Sequence, residues 1–139
     1  MSMNHLKSLD RLIETVKRLR VTRFEKGRAE EERVKALLEK AGFIVFLHPH
    51  SATPDILAYK HGMLYLIEVK STSGDKVVLF PDQVECITSM LSFFREFIPT
   101  NAFAVAYFSS WGEYGVRRIS INDRYVIVRR GDYDPDLPL

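Results

Sequence analysis

The chain has 139 residues, 46% of them hydrophobic and 27% charged, enough for one compact domain and too short for two ordinary ones. No apolar run approaches the roughly 20 residues of a membrane-spanning helix, and no basic-then-apolar leader stands at the N-terminus, so an intracellular, non-membrane protein is expected. A single cysteine, Cys86, excludes an internal disulfide framework and any zinc site built from paired cysteines.

The net charge of +2 is small, but it is unevenly spread. Residues 1 to 28 hold eight Lys or Arg against Asp10, Glu14 and Glu25, which leaves the remainder net −3. A second basic cluster, Arg117, Arg118, Arg124, Arg129 and Arg130, lies near the C-terminus. Basic patches on an acidic body suit a phosphate-binding protein; charge alone leaves an ordinary solvated face equally open.

Leu6, Leu9, Ile13, Val16 and Leu19 recur at spacings of three or four, predicting an amphipathic helix over residues 5 to 20. A second helix is expected from Lys26 to Ala41 with Val34, Leu37, Leu38 and Ala41 as its stripe, stopped by Gly42. Phe43 to Leu47 reads as a strand and His48 to Pro54 as a loop, because its two prolines cannot continue a ladder. Two strands follow, Asp55 to Lys60 and Met63 to Lys70, joined by His61-Gly62 as a tight hairpin. Ser71 to Asp75 reads as a loop and Lys76 to Phe80 as a short strand.

Pro81-Asp82 opens a helix to about Phe97, with Val84, Ile87, Met90, Leu91, Phe94 and Ile98 on one stripe; Cys86 within it reads as a small core residue. Ala102 to Ser109 is an apolar strand. Val116 to Ile121 and Tyr125 to Arg129 look like a closing strand pair across Asn122-Asp123. The tail from Asp132 to Leu139 is expected to be extended or mobile. The domain reading is therefore a helical extension over 1–25, a main domain over 26–131 and a tail over 132–139.

If His61 and Gly62 are the only loop residues, Lys60 faces Met63 and Asp55 lies opposite Glu68. Two carboxylates so placed repel each other unless a cation sits between them. Lys70 is on the same face, roughly 7 Å along. A site of carboxylate oxygens suits Mg²⁺, with Mn²⁺ as substitute, and such an ion activates water for phosphodiester hydrolysis. A surface Glu-Lys pair with an incidental Asp explains the bare pattern as well.

Pro54-Asp55, twelve residues and then Glu68-Val69-Lys70 resembles the PD-(D/E)xK nuclease superfamily. The similarity extends to the archaeal Holliday-junction resolvases: Lys26-Gly27, then Glu30, Glu31 and Glu32, then Leu37-Leu38 and Gly42-Phe43, then Ser51, Ile67 to Ser71, and Gln83, in that order. This resemblance implies an α/β fold, a central mixed sheet flanked by helices of restriction-endonuclease-like type. It further implies catalytic residues Glu31, Asp55, Glu68 and Lys70, and a metal ion held by Asp55, Glu68 and the Val69 backbone carbonyl, with Glu31 a candidate further ligand. Lys26, Arg28, Ser51 and Gln83 become DNA contacts, and a homodimer acting on four-way DNA junctions becomes the expected assembly.

Glu30 stays an alternative to Glu31, because helical spacing serves both almost equally. Glu32 stands where the family often has Arg, which puts a DNA contact there in doubt. His48 and His50 are read as exposed loop residues, and Phe93, Phe94 and Phe97 as core or dimer contacts. Two other functions remain open: a nuclease of the same superfamily acting on duplex, flap or single-stranded DNA, and a non-catalytic DNA-binding module.

Overall fold

A computed structural model describes residues 28–48 and 53–139, together with Lys7, Asp10 and Arg11. Those last three are helical and exposed; the rest of the N-terminal helix expected over residues 5 to 20 lies outside the described residues. In chain order the elements are α1 (Arg28–Lys40), β1 (Ile44–Leu47), β2 (Ile56–Lys60), β3 (Met63–Thr72), β4 (Lys76–Leu79), α2 (Pro81–Arg95), β5 (Thr100–Phe108), β6 (Glu113–Ile119) and β7 (Val126–Arg129). Five strands make a mixed sheet in the order β1-β2-β3-β5-β6, and β4 pairs with β7 in a separate two-stranded sheet.

The β2–β3 hairpin has the register expected from its loop, with Lys60 opposite Met63 and Ile56 opposite Ile67. His61 and Gly62 both adopt positive φ, 50° and 79°, as a two-residue turn matched to the strand twist requires. Beside β3 runs β5, in parallel, with Glu68 opposite Ala104 and Lys70 opposite Ala106. That parallel step needs a crossover, which β4 and α2 supply.

Strand alternation gives the sheet two apolar faces, so a helix can cover each. On one face Leu57, Leu64, Leu66 and the alanines at 102, 104 and 106 pack with Val84, Ile87, Leu91 and Phe94 of α2. Small residues on β5 let that helix approach closely. On the other face Ile56, Ala58, Ile67, Val69, Phe103 and Val105 pack with Val34 and Leu38 of α1. A mixed sheet flanked by helices is thus present, as expected.

Several expectations need correction. Leu37 is 41% exposed: the inward stripe of α1 runs through Glu31, Val34 and Leu38, which share a face at spacings of three and four. Cys86 is exposed on α2 rather than in the core. Strands β6 and β7 do not form a final hairpin. Asp123 accepts the Ser120 amide through Oδ2 at 2.8 Å, which turns the chain off the sheet after β6. β6 then pairs with β5 and β7 with β4. Gly115 makes the crossing possible, because a Cβ there would stand 2.6 Å from the Arg129 carbonyl oxygen and 2.9 Å from the Phe108 ring.

The C-terminal segment also folds back. Leu137 is fully buried against the α1 face, and the Val116 amide donates to the Asp132 carbonyl at 3.0 Å. Arg118 pairs with Asp134 at 3.2 Å and with Asp136.

Candidate active site

The β2–β3 ladder ends at Ile56↔Ile67, whereas β3 continues to Thr72. The candidate residues collect at this step. Asp55 directly precedes β2, and its amide donates to Glu68 Oε1 at 3.2 Å. In return the Val69 amide donates to Asp55 Oδ2 at 2.8 Å. Lys70 Nζ lies 3.5 Å from Glu68 Oε2, and the Thr53 hydroxyl donates to the same oxygen at 3.4 Å. Asp55 and Glu68 are both buried, at 5% and 2% exposure, while Lys70 is partly open to solvent.

Burial governs the electrostatics. It pushes the Glu68 carboxyl well above the usual carboxylate range; the neighbouring Asp55 charge adds to this and the Lys70 ammonium opposes it. Burial also raises Asp55, against the Val69 amide, the Glu31 and Glu68 carboxyls and the Lys70 charge, which all lower it. Two adjacent carboxyls that resist ionisation are a disfavoured arrangement in the absence of a cation.

The structure separates the two glutamates that sequence left as alternatives. Glu31 is buried at 3% exposure, and its carboxyl is close enough to Asp55 to bear on the ionisation of that residue. Glu30 instead pairs with Arg33 at 3.5 Å on the α1 surface. Glu31 comes from α1, which packs on the opposite face of the sheet from α2.

The donors fit a hard divalent cation. Within a strand the N–H and C=O of one residue point the same way, so the Val69 carbonyl is directed toward Asp55, where β2 has already ended. Two carboxylates and a carbonyl leave positions for water and phosphate, the usual habit of Mg²⁺. Among the described residues no group of three or more His, Cys, Asp or Glu side chains is set as a ready-made metal cage.

Of the expected DNA contacts, Lys26 and Ser51 lie outside the described residues, as does His50; Arg28 begins α1. Gln83 Oε1 accepts the Phe80 amide at 3.2 Å, so that carbonyl caps the first turn of α2. The C-terminal basic cluster is partly neutralised: Arg118 by the tail, and Arg130 by Glu113 at 3.3 Å. Arg117, Arg124 and Arg129 are exposed. Phe94 is buried in the core, while Phe93 and Phe97 are exposed with ring centroids 5.4 Å apart.

His48 corrects the reading of an exposed loop histidine. It is 6% exposed, its amide donates to the Asp55 carbonyl at 2.7 Å, and Nδ1 donates to the Pro54 carbonyl at 3.1 Å. The signal was the alternation of β1: His48 continues the inward face of Phe46. Thr53, beside Glu68, carried no signal apart from its place next to Pro54-Asp55.

Three likenesses to known proteins bear on this geometry. A family model described as archaeal Holliday junction resolvase (Hjc) matches residues 22–130. A crossover junction endodeoxyribonuclease of Sulfolobus islandicus rod-shaped virus 1 is 36% identical over 76 residues. That stretch is 51% of this chain and 63% of the viral protein, so the chain spans less than two thirds of that relative's length. The structure of Hjc from Archaeoglobus fulgidus, a Holliday junction resolvase, matches with a TM-score of 0.56 at 23% identity, covering 76% of this chain and 84% of that one. At that identity the likeness shows the fold.

Proposed function

The chain belongs to the archaeal Holliday junction resolvase family, and from that membership we propose that it hydrolyses DNA phosphodiesters in four-way junctions with a divalent metal ion. The observation that carries this reading is the convergence of Asp55, Glu68 and Lys70 at the step where β3 outruns β2. A surface Glu-Lys pair with an incidental Asp would not bury both carboxylates against each other.

Bound Mg²⁺, or Mn²⁺ in its place, supplies Lewis-acid polarisation of the phosphate and a lowered pKa for water. The chain's own groups do the rest. Asp55 and Glu68 would hold the ion through carboxylate oxygens, with the Val69 carbonyl as a third donor. The Val69 and Asp55 amides lock the two carboxylates in place, so little is lost in ordering them when substrate arrives. Lys70 sets a fixed positive charge beside the phosphate, where negative charge grows as the water oxygen bonds to phosphorus and the bridging P–O bond breaks. Glu31, buried beside Asp55, adds negative charge that favours the cation.

The same reading includes a homodimer working on DNA inside the cell. A junction has two-fold symmetry, and two symmetric nicks need two sites. Exposed Phe93 in the last turn of α2 and Phe97 just beyond its end offer an apolar surface for a second copy. Among the described residues no helix is long and apolar enough to cross a membrane.

Nicking of end-labelled four-way junction, flap and duplex substrates in Mg²⁺ tests the substrate. Paired symmetric nicks in the junction, at least about 100-fold faster than duplex cleavage (roughly 2.7 kcal/mol of discrimination), are expected. Equal rates on all three would indicate a general nuclease, and binding without cleavage would indicate a DNA-binding module.

A further inference from the structure

The loop after β5 carries a feature that the catalytic constellation does not use. Strands β3 and β5 run parallel and end together, Thr72 opposite Phe108. The loop 109–112 therefore projects from the same end of the sheet as Glu68 and Lys70. Trp111, the single tryptophan of the chain, sits in this loop and is 45% exposed. Lys70 lies two residues before the shared end of the two strands and Trp111 three residues past it, so both stand at the same end of the sheet.

An exposed indole on a loose loop would mean little, but this one is held. The Ser109 amide and hydroxyl donate to the Thr72 carbonyl at 2.9 and 3.1 Å, and the Ser110 hydroxyl donates to the Ser73 carbonyl at 2.8 Å. The Arg130 guanidinium lies 4.0 Å from the centroid of the Trp111 ring. Two 3.3 Å hydrogen bonds to the Glu113 carboxylate fix that guanidinium in turn. Because Glu113 neutralises it, Arg130 contributes orientation more than phosphate attraction, and the cation over one ring face sets the plane of the indole.

We propose that Trp111, backed by Arg130, is a stacking platform for a nucleobase exposed at the branch of a four-way junction. This rests on the resolvase reading above and adds how the branch is told from duplex. A flat aromatic group accepts any base face, so it selects on structure and not on sequence. Entering an intact duplex would require unstacking a base step, which costs free energy at each step. At a branch the stack is already interrupted. A rigid platform at the same end of the sheet as the catalytic lysine therefore rewards branched DNA.

The single tryptophan makes the test direct. Wild-type protein in EDTA is titrated with fluorescein-labelled junction and with duplex of equal length; anisotropy reports binding and indole fluorescence reports Trp111. Saturating junction is expected to quench the indole strongly, and saturating duplex to leave it nearly unchanged. Trp111→Ala should weaken junction binding about 5- to 150-fold, with duplex binding within about twofold of wild type, and Trp111→Phe should recover most of the loss. Junction bound by anisotropy with unchanged indole fluorescence would overturn the platform while leaving the resolvase reading intact. Equal quenching by both DNAs would overturn its selectivity for the branch. If wild type binds no junction, the resolvase reading fails and the platform with it. The wild-type fluorescence needs no variant, so poor folding of Trp111→Ala leaves that result standing.

Discussion

Asp55 and Glu68 are built into each other's backbone: the Asp55 amide donates to Glu68 Oε1 at 3.2 Å, and the residue after Glu68 returns its amide to Asp55 Oδ2 at 2.8 Å. The hairpin register therefore fixes two carboxylates face to face, and burial makes them hard to ionise without a cation.

The first expected consequence is a pH-dependent cost. Glu68 titrates well above its ordinary value of 4.5 in the folded protein. The folded state therefore holds a proton that the unfolded chain releases, and metal-free protein loses stability as pH rises from about 4.5 through the higher folded value. Glu68→Gln removes this loss. At pH 7 in EDTA the variant should melt a few degrees above wild type, in proportion to roughly 2–4 °C per kcal/mol. Mg²⁺ should raise the melting temperature of wild type alone. Melting curves at pH 5 to 8 with and without Mg²⁺ decide it; identical profiles for both proteins would contradict the repulsion.

Glu31 and Glu30 should behave differently. Glu31→Gln is expected to slow junction cleavage by at least about 100-fold (roughly 2.7 kcal/mol of barrier), because it removes a buried carboxylate beside Asp55. Glu30→Gln removes an exposed ion pair with Arg33 and should cleave within about twofold of wild type, since such pairs contribute little. Single-turnover rates distinguish the two, and a reversed order would place the family's first glutamate at Glu30.

The folded-back tail should carry measurable stability. Leu137→Ala empties a fully buried position and is expected to cost about 2–4 kcal/mol, seen in the midpoint of urea unfolding. The Arg118 guanidinium beside Asp134 holds that carboxyl below its ordinary 3.8. Its contribution is thus present above about pH 3.8 and lost as pH falls through the lower folded value. The stability difference between wild type and Asp134→Asn should shrink below that point; a difference that stayed constant to pH 2 would argue against the pairing.

Much of this site was legible because it is local. A two-residue turn fixes which residue faces which, so Asp55, Glu68 and Lys70 could be placed from their distance to His61-Gly62. The inward turn of Glu31 followed from its spacing to Val34 and Leu38. What escaped the sequence depends on distant partners. β4 and β7 meet across some fifty residues of chain, and their pairing hinges on Gly115 admitting the Arg129 carbonyl. Leu37 and Cys86 have core-like side chains but face solvent, because helix rotation is set by what packs opposite. The tail reads as extended or mobile from its prolines, yet Leu137 finds a buried place and Arg118 a pair of carboxylates.

Junction affinity should depend steeply on salt. A junction held mainly through phosphates releases counterions on binding, so a log–log slope near −4 or steeper is expected for about four or more neutralised phosphates. Anisotropy titrations at several KCl concentrations measure it, and a nearly flat slope would point to contacts other than phosphate.

The most direct measurement of the central claim is cleavage and binding of one four-way junction by wild type and Glu68→Gln at saturating Mg²⁺. Wild type should nick the junction, while the variant should bind it as tightly or more tightly and cut it at least about 1,000-fold more slowly (roughly 4 kcal/mol of barrier). Cleavage by Glu68→Gln at the wild-type rate would contradict the assignment of the active site to Asp55, Glu68 and Lys70.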